Sequence, residues 1–445
     1  MEIEKQIAQL VQQKGGRTFY VGGYVRDKLL NIENKDVDIE VHGISPDDLY
    51  DILKQVGTPL TYGNSFGVYS LKGHNIDIAL PRSEKSIGNK HTDFKIDVDP
   101  FIGYKNACKR RDITINALMQ DVLTDEILDY YNGLDDLKNK VIKYVDKDTF
   151  VEDPLRVLRV AQFASRLEFN VDKETVELCK RIDLTYLSRE RVEEELRKAL
   201  LKASKPSIFF DVLKDMNQLS YWFKQVEDLI GVQQDPIYHP EGDVYIHTMQ
   251  VIDRCATYRD KCDSYSFMLL GLTHDFGKVV TSTIVKGRIH AYNHEIAGVP
   301  LVETFLRRIC NRKEVIKYVT NMVKNHMLPN KCARDNSSIK KTNRMFYDAY
   351  NPKDLIYFSM CDNGNTNNLE YLTTRYEIYK ETMSKPYVQG EDLIKAGIKP
   401  GIEFNELLNY ATKLRLSNVE KESALKQTLA YHRQLKKSEI SRCNT

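Results

Sequence analysis

Two aspartates two residues apart, Asp36 and Asp38 in the segment KDVDIEV, are the first residues in this chain equipped for chemistry. On a β-strand, side chains at i and i+2 share one face. Paired carboxylates that close repel each other unless cations bind them. Phosphoryl transfer needs such a cation clamp, both on a triphosphate and on an attacking hydroxyl, and Mg2+ is the expected ion. A third carboxylate, Asp77 in NIDIALPR, alternates with Ile76 and Ile78 and can join the pair from a neighbouring strand. Alone, an Asp-x-Asp reads more readily as a solvated strand face. Gly22-Gly23 upstream shifts that balance. It joins a strand to a helix whose N-terminus can face phosphate. Gly23 lets backbone approach a nucleotide, and Arg26, one turn in, is placed to reach its phosphates.

Two further segments carry polar groups at telling spacings. RRDITINAL supplies adjacent guanidiniums, Arg110 and Arg111, planar and always charged, as triphosphate recognition requires. Asp112 is positioned to orient one of them; the plainer alternative is a surface ion pair. In EDPLRVLR, Asp153, Arg156 and Arg159 recur every three residues, about one helical turn apart. A carboxylate beside a guanidinium can offer acceptors and donors to a base edge. The alternative is an Asp capping a helix start, with Pro154 tolerated there and an ion pair nearby.

A second group of metal-ligand residues lies downstream. His247 sits in the amphipathic GDVYIHTMQVID, His274-Asp275 ends the apolar run LLGLTHDFGK, and Asp362 follows later. Imidazole and carboxylate together suit a divalent metal. Lys278, just past Gly277, can approach a phosphate. This order resembles the HD phosphohydrolase superfamily, and His294 and His326 stand where its binuclear members carry extra ligands. His239 and His290 read as loop residues.

The elements that must position these groups follow from periodicity. Ile3, Ile7, Leu10 and Val11 mark a helix over 2–14 ended by Gly15-Gly16. A strand from Thr18 to Val21, a helix from Tyr24 to Leu30, a strand carrying Val37, Ile39 and Val41, a helix over Pro46–Val56 and two more strands complete a small α+β head. The polar stretch SEKSIGNKHTDFKIDVDP between Pro81 and Lys109 reads as a mobile loop. From Phe150 onward only helical spacing is found. Residues 307–344 are rich in Arg and Lys, which fits either a solvated helix face or RNA phosphate contact. Over 445 residues the net charge is only +2, so a nucleic-acid partner needs local basic patches. Eight scattered cysteines, without a CxxC pair, argue against a disulfide framework or a zinc ribbon. No signal peptide or membrane-spanning stretch is read, so a cytoplasmic protein is expected.

FYVGGYVRDKLL with KDVDIEV, then RRDITINAL, then VEDPLRVLRVAQFASRLEF, occur in this order. Together they resemble the class II tRNA nucleotidyltransferase and bacterial poly(A) polymerase family, from about residue 17 to 230. The resemblance implies a polymerase-β-type head (1–142), a helical neck (143–230), an HD-containing body (231–365) and a helical tail (366–445). It implies that Gly22, Gly23, Arg26, Arg110 and Arg111 grip an incoming CTP or ATP. It makes Asp153 and Arg156 an amino-acid template that selects C and then A, with Arg159 assisting. Gln162 stands where related enzymes continue with another arginine, so no triphosphate contact is expected there. LSRERVEEELRKALL matches the family's neck and is read as structural. The polar loop after Pro81 favours addition of A as well as C. The implied activity is untemplated addition of C, C and A to the 3′ end of tRNA. A second divalent metal in the HD segment would serve a phosphatase or 2′,3′-cyclic phosphodiesterase. A poly(A) polymerase, a CC- or A-adding enzyme, and an RNA-binding HD phosphohydrolase are the alternatives.

Overall fold

A computed structural model describes residues 2–61, 67–86 and 94–443. The chain forms two compact units, Met1–Glu227 with Arg308–Cys310, and Asp228–Arg307 with Asn311–Thr445.

The first unit opens with helix α1 (Ile3–Gln13), whose Ile7, Ala8 and Val11 turn inward at helical spacing. Strand β1 (Arg17–Val21) leads through Gly22 into helix α2 (Gly23–Leu29). Strand β2 (Val37–His42) and helix α3 (Pro46–Val56) follow; Ser45 caps α3 by accepting the Asp48 N–H at 3.1 Å. Strands β3 (Pro59–Thr61), β4 (Val68–Leu71) and β5 (Ile76–Ala79) come next, then β6 (Arg82–Ser86) and β7 (Phe94–Val98), then β8 (Met119–Asp121) and β9 (Ile127–Leu128). Seven of them form one sheet in the order β3-β4-β5-β2-β1-β8-β9. Only the β2–β5 pair is parallel. Ile39 and Val41 of β2, Ile76 and Ile78 of β5, and Leu49, Ile52 and Leu53 of α3 share one apolar core with α1. That burial fixes the register: a slip of one residue would turn Asp77 into this core.

The stretch after Pro81 is not simply a loop. β6 and β7 form an antiparallel ladder from Arg82↔Val98 to Ser86↔Phe94, and residues 87–93 between them lie outside the described residues. The alternation of Phe94, Ile96 and Val98 carried that signal beneath a polar composition. A second difference lies at β11 (Asn170–Val171), which runs parallel to β10 (Val141–Ile142) where only helices are expected. Two residues are too few for a period to show. Helices α4 (Leu155–Leu167) and α5 (Arg189–Lys202) then pack against each other, and Val157, Leu158 and Ala161 of one and Val192, Leu196 and Ala199 of the other are buried.

The second unit contains helices α6 (Val244–Ala256), α7 (Ser264–Thr273), α8 (Lys313–Asn325) and α9 (Pro352–Asn363). Asp243 caps α6 and Asp263 caps α7 through the N–H groups of Ile246 and Ser266. Every residue of α7 from Tyr265 to Thr273 is buried. The helical expectation fails at one place, the hairpin of β12 (Ser282–Val285) and β13 (Arg288–Ala291). Its two-residue turn, Lys286-Gly287, has φ of 50° and 77°, the primed turn whose twist suits a hairpin. Longer helices, Leu369–Ser384, Ile402–Leu416 and Lys421–Cys443, close the chain. Among the described residues no helix is long and apolar enough to cross a membrane.

Candidate active site and candidate metal centre

In the first unit, the parallel pairing of β2 and β5 sets Asp38 directly opposite Asp77. Asp36 precedes β2, its Oδ1 accepting from Asn75 Nδ2 at 2.6 Å and its N–H donating to Asn34 at 3.0 Å. Burial raises the Asp38 carboxyl above its ordinary value; Asp77 and Asp36 add to the rise while Arg111 opposes it. A carboxylate crowded by two others suits a cation. Asp36 and Asp38 line a cleft of about 590 Å³ with Gly22, Gly23, Arg110, Arg111, Asp153, Arg156 and Arg159. Asp77 is exposed beside Asp38 and does not line that cleft.

Gly22 has φ of 65° between strand and helix, where a side chain would be strained. Arg26, expected to reach phosphate, lines the cleft too, yet its guanidinium is held by the chain's own groups. It is 2% exposed, bonds Asp27 at 2.6 Å and Asn116 at 2.6 Å, and stacks over Phe163 at 5.0 Å. Its guanidinium lies beneath Gly23, 3.4 Å from where a Cβ would stand, so it props the glycine turn.

Arg110 and Arg111 converge on one carboxylate. Glu40 accepts from them at 3.1 and 3.2 Å and from the His42 ring at 2.9 Å. Burial works against its charge, but His42, Arg111 and Arg110 outweigh it and hold the carboxyl down at about 2. Glu40 is buried and charged on the strand that carries Asp38, two residues further on and so on the same face. Asp112 was expected to orient Arg110 or Arg111; instead it binds Arg159 at 2.7 Å and Asn116 at 3.1 Å. Burial again opposes the charge, and Arg159 and Asn116 hold Asp112 down at about 2.

Among the described residues the side chains of Asp153 and Arg156 are not bonded to each other, though the Arg156 N–H donates to the Asp153 carbonyl at 3.0 Å. Asp153 accepts from Arg191 of α5 at 2.8 and 3.0 Å and from the Leu155 N–H at 3.1 Å. Arg156 donates to the carbonyls of Thr149 at 2.5 Å and Arg110 at 2.7 Å. It thereby ties the arginine motif to the start of α4. Arg191 belongs to the segment read as structural, and only the fold shows that it holds Asp153.

In the second unit, His247 comes from α6, His274 and Asp275 follow α7, His326 follows α8, and Asp362 lies on α9. His294 begins a short helix after β13. His247 Nε2 is 3.2 Å from Asp362 and 3.8 Å from Asp275; His274 Nε2 is 3.2 Å from Asp275 and 3.5 Å from Asp362. On the other side of Asp275, His294 Nε2 lies at 3.2 Å and His326 Nε2 at 4.0 Å. Two potential ligand triads therefore share Asp275: His247 with His274, and His294 with His326.

The other ring nitrogens explain the orientation. Nδ1 of His274, His294 and His326 donates to the carbonyls of Gly271, Ala291 and Val323 at 2.9, 2.8 and 2.6 Å. Nδ1 of His247 bonds Glu241 at 2.7 Å. Each ring then turns an acceptor Nε2 to the centre, as metal ligation demands. His274 Nε2 is buried without a hydrogen-bond partner. Burial, with His274 and His294 adding, pushes His326 down to about 4, so the ring is neutral near pH 7. This donor set fits one or two divalent metals. Lys278 reaches Asp275 at 2.7 Å and Gln234 at 2.7 Å. A Cβ on Gly277 would fall 1.9 Å from the His294 carbonyl, so the glycine permits the crossing that brings His294 to Asp275. A cavity opens over this centre, and His239 and His290, read as loop residues, both line it, with His290 on β13.

Comparison with known proteins accords with this geometry. Residues 18–143 match the Poly A polymerase head domain family. The multifunctional CCA protein of Pasteurella multocida (strain Pm70) is 38% identical over 305 residues, covering 66% of this chain and 69% of that protein. The chain belongs to the CCA-adding family of tRNA nucleotidyltransferases. The multifunctional CCA protein of Mannheimia succiniciproducens is 36% identical over 302 residues, covering 66% of this chain and 70% of that protein. In fold, the enzyme resembles a CCA-adding enzyme solved with ATP, with a TM-score of 0.67 at 19% identity over 96% of this chain and 92% of the other. It also resembles the Thermotoga maritima CCA-adding enzyme complexed with CCA-ended tRNA, with a TM-score of 0.62 at 20% identity, covering 96% and 93%.

Proposed function

We propose that the first unit adds C, C and A to the 3′ end of tRNA from CTP and ATP, releasing pyrophosphate. The observation that carries this reading is the register of Asp38 against Asp77, with Asp36 beside them, at a cleft whose other wall is guanidinium. The names of the relatives, among them a CCA-adding enzyme solved with CTP, favour tRNA, CTP and ATP over a poly(A) product. Asp36 and Asp38, with Asp77 assisting, would hold Mg2+, which when bound supplies positive charge at the triphosphate and lowers the pKa of the attacking hydroxyl. The chain's own groups do the rest. Gly22 and Gly23 admit the phosphates, and Arg26 keeps that turn in place. Arg110 and Arg111, fixed by Glu40, bear on the charge that develops at phosphorus. Asp153 and Arg156 read the base once the nucleotide exchanges for their present partners, and Arg159 assists from its pair with Asp112. The tRNA 3′ oxygen displaces pyrophosphate at the α-phosphorus, giving up its proton to solvent.

The second unit supports a second reading, a metal-dependent phosphohydrolase acting on phosphate esters such as 2′,3′-cyclic ends. The inward Nε2 atoms sharing Asp275 favour it. His247, His274, Asp275 and Asp362 would hold one metal, and Asp275, His294 and His326 a second. The bound ions supply an acidified water, and Lys278 faces the phosphate.

Incubation with tRNA lacking CCA, tRNA ending in CC, and a random RNA, each with CTP, ATP or both, tests the first reading. Addition of CCA to the first and of A to the second is expected. A long A tail on random RNA overturns it. Asp36→Ala is expected to abolish addition and spare hydrolysis of a cyclic nucleotide.

A further inference from the structure

The cavity over the histidine centre is larger than a phosphate needs. It measures about 870 Å³, within the range of pockets that enclose a whole small molecule. The wall carried by the β12–β13 hairpin is not built of metal ligands. His290 and Tyr292 lie ring on ring, 5.0 Å apart at 8°. The Arg288 guanidinium lies 5.6 Å over the Tyr238 ring and is held there by Asp235 at 2.8 Å. Tyr292 is 64% exposed and Tyr238 72% exposed, though both line the cavity. Large aromatic faces left open beside a reactive centre mark a place where a ligand stacks. Flat, aromatic and cation-flanked walls suit a nucleobase, whose π-face stacks on tyrosine or on a guanidinium plane.

We propose that Tyr292, backed by His290, together with the Arg288–Tyr238 pair, forms a base-stacking wall that makes this centre prefer phosphate esters of nucleosides over esters that lack a base. The proposal rests on the phosphohydrolase reading of the second unit, and it assigns specificity rather than chemistry. No bond is made or broken by these residues. Their role is to hold the base so that the ester reaches the imidazole–carboxylate centre.

The full-length protein is tested as wild type, Tyr292→Ala and Tyr292→Phe, each first checked for an unchanged unfolding temperature. One arm measures calorimetric binding of adenosine 2′-monophosphate and of glycerol 2-phosphate in EDTA, without turnover. The other arm compares kcat/KM for the same two esters with Mg2+, Mn2+ or Ni2+ supplied. Tyr292→Ala is expected to weaken nucleotide binding roughly tenfold, within the span of one stacked base, and to leave glycerol 2-phosphate untouched. Tyr292→Phe is expected to restore binding. If both esters weaken together, or neither does, or the wild type binds the nucleotide no better than glycerol 2-phosphate, the proposal falls. If no ester is hydrolysed with any metal, the phosphohydrolase reading falls instead, while the binding arm still decides the stacking wall.

Discussion

The two candidate centres use acidic residues in opposite ways. In the first unit Asp36 and Asp77 are exposed, and the guanidiniums around them are already engaged with Glu40, Asp112, Asp153 and backbone carbonyls. In the second unit Asp275 is 2% exposed, and imidazoles surround it with their far nitrogens pinned to the main chain. On the proposed function, the first centre exchanges these partners as a nucleotide arrives. The second is preorganised, since three of its four rings are oriented by backbone that cannot turn. On the proposed function, a cleft that accepts CTP and then ATP would need exchangeable contacts, and a centre that holds one ion throughout would not.

The sharpest way to break this comparison is to remove the shared carboxylate. Asp275→Asn is expected to lower metal content, read by elemental analysis after dialysis, and to reduce ester hydrolysis by roughly a hundredfold or more, as loss of a primary ligand does. CCA addition should stay within about twofold. A parallel fall in both activities would show that the centres are not separable. Next in size is Gly277→Ala. The added methyl would collide with the His294 carbonyl, and overpacking of this kind costs about 1–3 kcal/mol. A lower unfolding temperature together with loss of metal is expected; retention of both would sink the crossing argument.

How much of this was legible follows from the range of each signal. The β2 pattern, the Asp77 alternation and the His-Asp pair after α7 are local, and period alone exposes them. The β12–β13 hairpin left a weaker mark: the β-branched run Thr283–Val285 and the alternating Arg288–Ala291 flank Lys286-Gly287, but helical neighbours and the short length hid it. The partners of the charged groups were not legible. Asp112 sits next to Arg111 in sequence yet binds Arg159, and Asp153 binds Arg191, because pairing is decided by helix packing, not by proximity along the chain. Arg26 is a similar case: one turn into a helix it can point outward or beneath the turn, and only Asp27, Asn116 and Phe163 decide which.

Glu40 offers a finer test of the first centre. Its carboxyl, like that of Asp112, is held near 2 in the folded chain, below the usual carboxylate range. A depressed folded value means that the stabilisation is complete above the unfolded value and is lost as pH falls toward about 2. Trp222, the single tryptophan, is buried in the first unit and donates to the Leu184 carbonyl at 2.9 Å, so its fluorescence follows that unit. Wild type is expected to lose stability from about pH 4.5 downward, and Glu40→Gln to flatten that slope. The same variant leaves Arg110 and Arg111 a neutral amide oxygen in place of a shared carboxylate charge. KM for CTP and ATP should rise roughly tenfold, with a smaller change in kcat. An unaltered acid slope would mean that Glu40 is not the group titrating.

The smallest expected effect belongs to Arg191, and it separates exchange from rigidity most directly. In this structure its guanidinium grips Asp153 through two bonds, so the carboxylate that would read the base is held before any nucleotide arrives. If Asp153 changes partner during C and A addition, Arg191 sets its resting position without touching substrate. Both bonds come from the one Nη2, and Arg191→Lys keeps the charge but loses the planar guanidinium that aims that nitrogen between the two oxygens. It should weaken discrimination between CTP and UTP by about fivefold, with KM for the correct nucleotide nearly unchanged. Arg191→Ala should relax discrimination further, while the unfolding temperature falls only slightly, because the pair is partly exposed and such pairs add about 1 kcal/mol or less. A loss of stability without a loss of discrimination would make the pair a helix tie alone. Relaxed selection in a stable variant would place it in the positioning of the template.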